Sequence, residues 1–589
     1  MNQKTILFLI AIVISSCKTD KHDNNQITKD ELREHIQYLA SEKLAGRYPG
    51  TPGDKLTAEF ILKDFRSNDL FLYDTNGLQT FEVSLGNKVS DNNSLTIDQY
   101  KAELQKEFVP FAFSSNDTLQ SEVAFAGYGF KIETPEFTWN EYKNLDVNNK
   151  WVMILEGKPN LQKMRSPFRP HQRNRSKIML AREMGAGGVL IVSEEKELTS
   201  PALKRGTLNI PVIHITRELA DRILKPKNIT VSELKHFYTD EEETHSFQVE
   251  TTVSANIKLE EYIVQTHNIL AEIKQPRERN DGKYIVIGAH YDHLGIGGAE
   301  SGSRNPDTSA IHFGADDNAS GVASMLEISE KLQSIQDSLT KNILFIAFGA
   351  EEQGLIGSNY FINHSEIDPS DIEAMINIDM VGRLREEKSL QVGGTGTSKQ
   401  AEDLLKKHNE RYNFKLGFSK EGYGPSDHSS FYSNNIPVFF FSTGPHLDYH
   451  TPQDKPSKIN YTGLKEVSHF IYDVTKELAM DKTQLTFQEA GPKSKAKQMR
   501  HGEKLKVTLG IMPDFAGIVE NGLRADLVIK GKPAYRAGMQ KGDIIRAING
   551  KKISDVYDYM ERLSDLKPGQ TITVEILRDS TQKVLMVQL

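Results

Sequence analysis

Hydrophobic residues between positions 256 and 483 occur in short continuous runs instead of alternating with polar residues. The four clearest runs read KYIVIGAH, NILFIAFGA, AMINIDM and IPVFFFST. Strands of this kind are buried on both faces, which is typical of parallel sheets covered by helices. After the first run, SGVASMLEISEKLQS has the apolar spacing of an amphipathic helix. The pattern predicts an α/β fold with a mostly parallel sheet flanked by helices.

The rest of the chain has three other patterns. Residues 28–110 begin with two amphipathic helical stretches, and Thr28 and Glu31 have the spacing of a capping box. Residues 111–250 are rich in short strands and loops. Residues 503–589 form a small module of strands that contains an Asn-Gly hairpin signal. We therefore predict one core, a β-rich insert and a C-terminal module, which occupy residues 28–110 with 256–483, residues 111–250 and residues 503–589.

The N-terminus has the pattern of an export signal. Ile6 to Ile14 is an aliphatic stretch that is too short to span a bilayer and long enough for a signal peptide. It is followed by Ser15, Ser16 and Cys17, so residues 1–17 resemble a bacterial lipoprotein signal, which implies a lipid anchor at Cys17. The alternative is an ordinary secretory signal with a coincidental cysteine. Both alternatives predict an exported protein, in the periplasm or at the cell surface.

Composition narrows the possible chemistry. The chain has 589 residues, a formal net charge of −8 and a pI of about 6.1, which argues against a nucleic-acid partner. Cys17 is its single cysteine, so neither a disulfide nor a structural thiolate site is expected in the exported protein.

Acidic residues and histidines stand at or just past the end of each predicted core strand. The carboxyl ends of parallel strands meet at one edge of a sheet, where ligand sites form. These side chains should therefore converge, together with a GADDNASG segment that precedes the first helix. The candidates are His290, Asp292, Asp316, Asp317, Glu351, Glu352, Asp379, His446, Asp448 and His450.

So many carboxylates without a strong basic cluster indicate bound cations. Imidazole and carboxylate ligands without cysteine suit Zn²⁺, with Mn²⁺ or Co²⁺ as substitutes. Five ligands exceed the three that a single catalytic zinc usually keeps. They suit two metal ions that share a carboxylate.

The motifs GAHYDHLG, GADDNASG, GAEEQGLIGS, NIDMVGR, SDHSSF and DYHTPQD resemble, in order and spacing, those of the di-zinc exopeptidases related to bacterial leucyl aminopeptidases and glutamate carboxypeptidase. The resemblance implies that His290, Asp317 and Asp379 hold one zinc. It also implies that Asp317, Glu352 and His450 hold the other, with Asp317 as the bridge.

The same resemblance assigns roles to three further residues. Glu351, which stays unligated, is expected to be the general base. Asp292 is expected to accept a hydrogen bond from a ligand imidazole, and Tyr449 to stabilise the oxyanion, with a packing role as the alternative for Tyr449. The family resemblance also implies a cis peptide bond between Asp317 and Asn318.

Other residues compete for these positions. His446 is the rival of His450, which the DYHTP motif favours. His293, His312 and His428 are expected not to be ligands, and Asp316 is expected to be a neighbour of the bridging carboxylate.

Two accessory segments also resemble known domains. The insert resembles a protease-associated domain, which carries no chemistry of its own. The C-terminal module resembles a bacterial PDZ domain, in which the backbone N–H groups of Leu509, Gly510 and Ile511 would bind the carboxylate of a peptide C-terminus.

Together these features predict an exported zinc-dependent exopeptidase that acts on peptides, most simply an aminopeptidase. Carboxypeptidases and glutaminyl cyclases share the scaffold, although cyclases are typically single-metal. A non-catalytic peptide-binding lipoprotein is the alternative from another class.

Overall fold

The computed structural model describes residues 26–493 and 507–589, with internal gaps. Cys17 and the signal sequence lie outside the described residues. Within the described ranges, no helix is both long and apolar enough to cross a membrane. The gaps are residues 75, 135–136, 160–167, 169–170, 173, 196–197, 199–207, 241–242, 277, 279–281, 299–300, 306–307, 492, 514–521, 554–558, 560–561, 564–565 and 580.

The described strands are β1 Phe71–Leu72, β2 Leu78–Val89, β3 Ser94–Ile97, β4 Tyr100–Lys101, β5 Phe108–Pro110, β6 Asp117–Phe125, β7 Lys131–Glu133, β8 Thr138–Asn140, β9 Trp151–Leu155, β10 Gly188–Val192, β11 Val212–Ile215, β12 Phe247–Ile257, β13 Leu259–Ile273, β14 Tyr284–His290, β15 Asn342–Phe348, β16 Ile372–Ile378, β17 Ser389–Gly393, β18 Lys415–Phe418, β19 Val438–Ser442, β20 Ile511–Pro513, β21 Leu523–Val528, β22 Ile544–Ile548, β23 Lys551–Lys552, β24 Thr571–Arg578 and β25 Thr581–Gln588.

The described α-helices are α1 Lys29–Leu39, α2 Pro52–Ser67, α3 Asn174–Glu183, α4 Arg217–Leu224, α5 Val231–Asp240, α6 Gly321–Gln333, α7 Ile356–His364, α8 Ala401–Asn409, α9 His428–Tyr432, α10 Tyr461–Ala479 and α11 Pro533–Arg536.

The core sheet has a parallel centre, as its continuous apolar runs predict. Its order is β1-β13-β15-β14-β16-β19-β17-β18, with β2 paired to β13. The four strands β15, β14, β16 and β19 run parallel, and antiparallel neighbours flank them on both sides. The predicted α/β class is therefore confirmed.

Both faces of this sheet are buried. In β14, Ile285 and Ile287 pack into one hydrophobic cluster, whereas Val286 belongs to a second cluster on the opposite face. Helices α1, α2, α6 and α10 contribute to the first cluster, and α7 and α9 to the second. A continuous apolar run supplies both faces because neighbouring strand residues point in opposite directions.

The insert forms its own mixed sheet of eight strands, in the order β4-β3-β12-β6-β9-β10-β11-β5. It begins at β3, earlier in the chain than the boundary at residue 111 that the composition suggested. Strands β3 and β5 are short, and they pair with β12 and β11, which lie more than 100 residues later in the sequence, whereas β4 pairs with its neighbour β3. The long β2–β13 pair leads from the core into this sheet.

The C-terminal module is a third sheet, with the order β20-β21-β22-β24-β25 and β23 paired to β22. The predicted hairpin is present: β22 and β23 pair Ile548 with Lys551, which leaves Asn549 and Gly550 as the turn. Both turn residues have positive φ values, 49° and 72°, as a two-residue hairpin of this type requires.

Candidate metal centre

Four parallel strands deliver the candidate residues to one edge of the core sheet. His290 is the last residue of β14 and pairs with Phe348, the last residue of β15. Glu351 and Glu352 follow three and four residues later. Asp379 directly follows β16, whose last residue pairs with Phe441 of β19. The structure thus brings together side chains that are up to 160 positions apart in the sequence, from His290 to His450.

Two groups of ligand atoms share Asp317. Nε2 of His290 lies 3.3 Å from Oδ1 of Asp317 and 3.5 Å from Oδ1 of Asp379. Nε2 of His450 lies 3.1 Å from the other oxygen of Asp317, Oδ2, and 3.2 Å from Oε2 of Glu352. Ligand atoms about 2.0 Å from a tetrahedral zinc are separated by about 3.3 Å. Each group therefore has the spacing of half of a two-ion site with a bridging carboxylate.

The bonding of these atoms also fits metal ions. Oδ2 of Asp317 and Oδ1 of Asp379 are buried and have no hydrogen-bond partner among the described residues. A buried carboxylate oxygen without a donor is costly unless a cation is bound to it. His290 with Asp317 and Asp379 can hold one ion. His293, which the sequence analysis did not expect to be a ligand, forms a second such group with Asp317 and Glu352, and His450 lies near the same two carboxylates.

Asp317 sits in an irregular helical turn, Ala315–Ser320, and the peptide bond between Asp317 and Asn318 is cis, as the resemblance implied. Oδ2 of Asp454 accepts hydrogen bonds from the backbone N–H groups of Asp316 and Asp317. The turn is thus fixed by a carboxylate that the sequence reading did not select.

His446 and Asp316 contact each other. Nε2 of His446 lies 3.1 Å from Oδ2 of Asp316, and Oδ1 of Asp316 accepts a hydrogen bond from the backbone N–H of Gly382. Asp448 forms an ion pair with Arg383. His446 thus contacts Asp316, whereas Nε2 of His450 lies 3.1 Å from Oδ2 of Asp317.

The contacts of Asp292 differ from the expected ones. Nδ1 of His290 lies 3.2 Å from the backbone oxygen of Asp292, and 3.8 Å from its carboxylate, which is too far for a hydrogen bond. The carboxylate instead accepts the backbone N–H groups of Glu351 and Glu352, at 2.9 and 3.2 Å. The reason is the sharp turn after β15, which leaves these two amides without partners in the sheet. Asp292 therefore orients both glutamates through their backbone.

The two adjacent glutamates differ in their electrostatics. Burial and Asp317 alone would raise the pKa of Glu352, but His450 and His293 lower it to about 2. Burial raises the pKa of Glu351 well above its usual range, and the neighbouring Asp427, Glu352 and Asp379 raise it further. Burial likewise raises the pKa of Asp292 to about 8. Burial alone would lower the pKa of His450, but Glu352 and Asp317 raise it to about 11. The protein by itself therefore binds protons in this cluster, and cations would displace them.

Asp427 is a further buried carboxylate that the sequence analysis passed over, although it lies in the SDHSSF motif. It is completely buried, and neither of its oxygens has a hydrogen-bond partner among the described residues. Burial raises its pKa to about 7. Asp427 also raises the pKa of Glu351, so it adds to the excess of acidic groups in the cluster.

Arg47 is a buried cation beside the cluster. The sequence places it in a glycine-rich loop that gave no signal of a buried site. Its guanidinium donates hydrogen bonds to backbone oxygens on both sides of the site, those of Leu39, Tyr291, Phe313 and Gly314. Burial lowers its pKa to about 10, and the acids nearby, Asp317 and Asp292 first, oppose that shift. One buried guanidinium, which the sequence analysis did not identify, therefore offsets part of the charge of the acid cluster.

Tyr449 and the remaining histidines occupy distinct environments. The ring of Tyr449 stacks on that of His450 with centroids 3.9 Å apart. Burial raises the pKa of Tyr449 well above its usual value, and Asp317 and Glu352 add to this, so its hydroxyl stays protonated. His428 stacks on Phe440, and burial lowers its pKa to about 3. His312 contacts Ser303.

Comparisons with known proteins agree with this architecture. Residues 268–475 match the family model of Peptidase family M28, and residues 487–589 match that of the PDZ domain. Aminopeptidase YwaD of Bacillus subtilis is 28% identical over 318 residues, which are 51% of this chain and 60% of that protein. A probable leucine aminopeptidase of Arthroderma otae is 31% identical over 209 residues, 33% of this chain and 54% of the relative. The chain thus spans less than two thirds of these relatives' length.

Among solved structures, that of BSAP, a zinc aminopeptidase from Bacillus subtilis, is similar to the chain at 22% identity and a TM-score of 0.47. The alignment covers 78% of this chain and 97% of that one.

Proposed function

Because the chain contains a domain of Peptidase family M28, homologous to aminopeptidases, and a C-terminal PDZ domain, we propose that it is a zinc-dependent aminopeptidase that removes N-terminal residues from peptides. The observation that carries this proposal is the pair of ligand groups that meet at Asp317. A single shared carboxylate between two histidines is the arrangement that a two-metal hydrolase uses. The names of the two curated relatives favour an aminopeptidase over a carboxypeptidase.

In this proposal, His290, Asp317 and Asp379 would hold one zinc ion, and Asp317, Glu352 and His450 would hold the other. Two ions bound there would supply Lewis-acid chemistry, lowering the pKa of a water molecule and polarising the scissile carbonyl. Mn²⁺ or Co²⁺ would bind to the same oxygen and nitrogen ligands.

Glu351 takes the proton of the attacking water at its carboxylate and passes it to the leaving amine. Its backbone N–H is fixed by Asp292, which sets the direction of the side chain. The hydroxyl of Tyr449, protonated at neutral pH, donates a hydrogen bond to the carbonyl oxygen as negative charge develops there.

Blocked peptides test the specificity. The purified chain, with its zinc content measured, is incubated with a peptide that has both ends free, with an N-acetylated version and with a C-amidated version. We expect cleavage of the free and amidated peptides and none of the acetylated one. Cleavage of the free and acetylated peptides, with none of the amidated one, would indicate a carboxypeptidase. If neither site holds zinc and no peptide is cleaved, the alternative of a non-catalytic peptide-binding protein is favoured.

We further propose that Cys17 carries a lipid that anchors the exported protein to a bacterial membrane. The support is the aliphatic stretch that ends just before this cysteine. In the Cys17→Ser variant, the protein should be either uncleaved or soluble, and membrane fractionation decides. Unchanged fractionation with the membrane would contradict the anchor.

The PDZ domain is proposed to bind a peptide C-terminus next to Leu509, Gly510 and Ile511. Strand β20 supports this, because it is an edge strand of the described sheet and begins at Ile511. The test uses the full chain with Glu351→Gln, so that peptides stay intact. Peptides from a C-terminal library should bind as free acids and lose binding when amidated. Equal binding of both forms would point to a packed accessory domain instead.

A further inference from the structure

His293, which was expected not to be a ligand, lies in contact with the second group of candidate ligands. The side chain is fully buried, and Nδ1 is 2.9 Å from Oε1 of Glu352. The same nitrogen is 3.8 Å from Oδ2 of Asp317, farther than His450 is from that oxygen, at 3.1 Å. His293 therefore contacts one carboxylate at hydrogen-bond distance and does not have the even spacing to both carboxylates that His450 has.

The two carboxylate oxygens of Glu352 face different histidines. Its Oε1 faces His293, and its Oε2 faces His450 at 3.2 Å. A carboxylate that uses one oxygen for a hydrogen bond offers the other, in a fixed direction, to a metal ion. The position of His293 thus determines which oxygen of Glu352 is directed toward Asp317 and His450.

The ring of His293 has little freedom to move. A Cβ atom at Gly314 would lie 2.6 Å from the His293 ring, and Gly314 has a φ of 56°, so the backbone approaches the ring closely. On another side, the ring meets that of His450 edge to face, with centroids 5.8 Å apart. Nε2 of His293 has no hydrogen-bond partner among the described residues. Packing and the contact with Glu352 therefore set the ring's orientation.

We propose that His293 is a positioning residue for the second metal ion. Its Nδ1–H donates a hydrogen bond to Oε1 of Glu352 and directs Oε2 toward the ion held with Asp317 and His450. This inference rests on the proposed metal site. It assigns to His293 a hydrogen-bonding role, and not a place among the ligands.

Metal affinity tests this role without measuring activity. Zinc is titrated into metal-free protein against a competing chelator, for the wild type and for three variants. His293→Asn keeps an N–H donor close to the place of Nδ1, whereas His293→Leu fills similar volume without a donor. His312→Asn is the control, because His312 lies next to His293, with ring centroids 6.4 Å apart, and contacts Ser303.

The expected result is a second site weakened about 10- to 100-fold in His293→Leu, the usual effect of losing such a partner. The first site should be unchanged, which also shows that the variant is folded. His293→Asn and His312→Asn should bind two ions with nearly wild-type affinity. The Co²⁺ absorption spectrum of His293→Asn should match that of the wild type, because no ligand is lost.

Two outcomes would overturn the inference. If His293→Asn binds a single ion and its Co²⁺ spectrum changes, His293 is a ligand. If His293→Leu binds both ions as the wild type does, His293 has a packing role only. If the wild-type protein does not bind two ions, the proposed function is contradicted instead. If His293→Leu does not fold, the metal binding and Co²⁺ spectrum of His293→Asn still show whether His293 is a hydrogen-bond donor or a ligand.

Discussion

The core and the insert both contain buried carboxylates, and these are hydrogen-bonded in different ways. In the insert, Glu141 accepts the backbone N–H groups of Tyr128 at 2.9 Å and of Phe130 at 2.7 Å, one on each oxygen. In the core, two oxygens at the sheet edge, of Asp317 and Asp379, lack hydrogen-bond partners within the described part of the chain. All three carboxylates are buried, but both oxygens of Glu141 accept a hydrogen bond, whereas these two core oxygens accept none from the described residues.

Each region also contains a buried cation, and both cations donate hydrogen bonds to backbone oxygens. Lys177 in the insert donates to the backbone oxygens of Leu155 and Gly157. Arg47 in the core donates to four backbone oxygens on segments that lead into the acid cluster. A buried charge whose hydrogen bonds are complete supports structure, whereas an acid cluster with open oxygens is prepared for a ligand. The four predictions below test this difference, in order of decreasing effect.

The largest effect is expected at the two adjacent glutamates. Glu351→Gln cannot accept a proton, so turnover should fall about 10²- to 10⁴-fold while both metal ions stay bound. Glu352→Gln replaces an anionic ligand with a neutral one, so it should lose or weaken one ion, and excess metal should restore part of its activity. Metal analysis and turnover are measured on the same preparations.

Glu141→Gln is the matched control for these variants, since it makes the same change in the insert. It should alter neither metal content nor turnover. If Glu351→Gln loses metal, or stays fully active, the roles of the two glutamates must be exchanged or the mechanism abandoned.

Replacing Arg47 should destabilise the core and spare the insert. Arg47→Met leaves four backbone oxygens and the nearby acids without their cation, at a cost of about 3–5 kcal/mol. Both tryptophans, Trp139 and Trp151, lie in the insert, so fluorescence-detected urea unfolding reports that region alone. We expect this transition to be unchanged while the amides of β14 lose protection from hydrogen exchange.

Arg47→Lys separates charge from geometry, because it keeps the charge without the planar set of donors. An intermediate loss of protection is expected. Full protection of β14 in the methionine variant would show that the guanidinium does not support the site.

The insert should become less stable as the pH rises toward neutrality. Burial raises the pKa of Glu141 from 4.5 to about 7, so the folded insert holds a proton that the unfolded chain has released. The unfolding free energy should therefore be highest below pH 4.5 and fall by up to about 3 kcal/mol between pH 4.5 and 7. Tryptophan-detected urea unfolding at several pH values measures it.

In Glu141→Gln this pH dependence should disappear. The variant should also lose about 1–3 kcal/mol at low pH, because its amide nitrogen cannot accept a backbone N–H, whereas the hydroxyl oxygen of the protonated acid still can. A slope that persists in the variant would assign the proton to another group.

Helix caps should have small and equal effects in both regions. Thr28 accepts the N–H of Glu31 at the start of α1 in the core, and Thr216 accepts that of Leu219 at the start of α4 in the insert. Each Thr→Ala change should cost about 1 kcal/mol. Hydrogen exchange of α1 and tryptophan-detected unfolding measure the two costs, and a difference of several-fold would show that the caps are coupled to their surroundings.

Much of this protein is determined by local sequence. The continuous apolar runs indicate strands buried on both faces, and the strand ends name His290, Glu351, Glu352 and Asp379 without knowledge of the sheet order. The Thr28 cap and the Asn549-Gly550 turn are local as well, because the hydrogen bonds or φ values that define them involve residues a few positions apart. Features that depend on residues a few positions apart can therefore be recognised from the sequence alone.

Other features depended on the tertiary structure. Arg47 contacts Phe313 and Gly314 more than 260 positions away, and His293 meets Glu352 across two different strand ends. The carboxylate of Asp292 binds the backbone N–H groups of Glu351 and Glu352, about 60 positions away, and not the imidazole two residues before it. No periodicity encodes such partners, because a hydrogen bond between distant segments depends on loop geometry and on which polar groups the packed sheet leaves unpaired. The residue types at the site are therefore written in the sequence, whereas the choice of partner for each atom is made only when the strands have assembled.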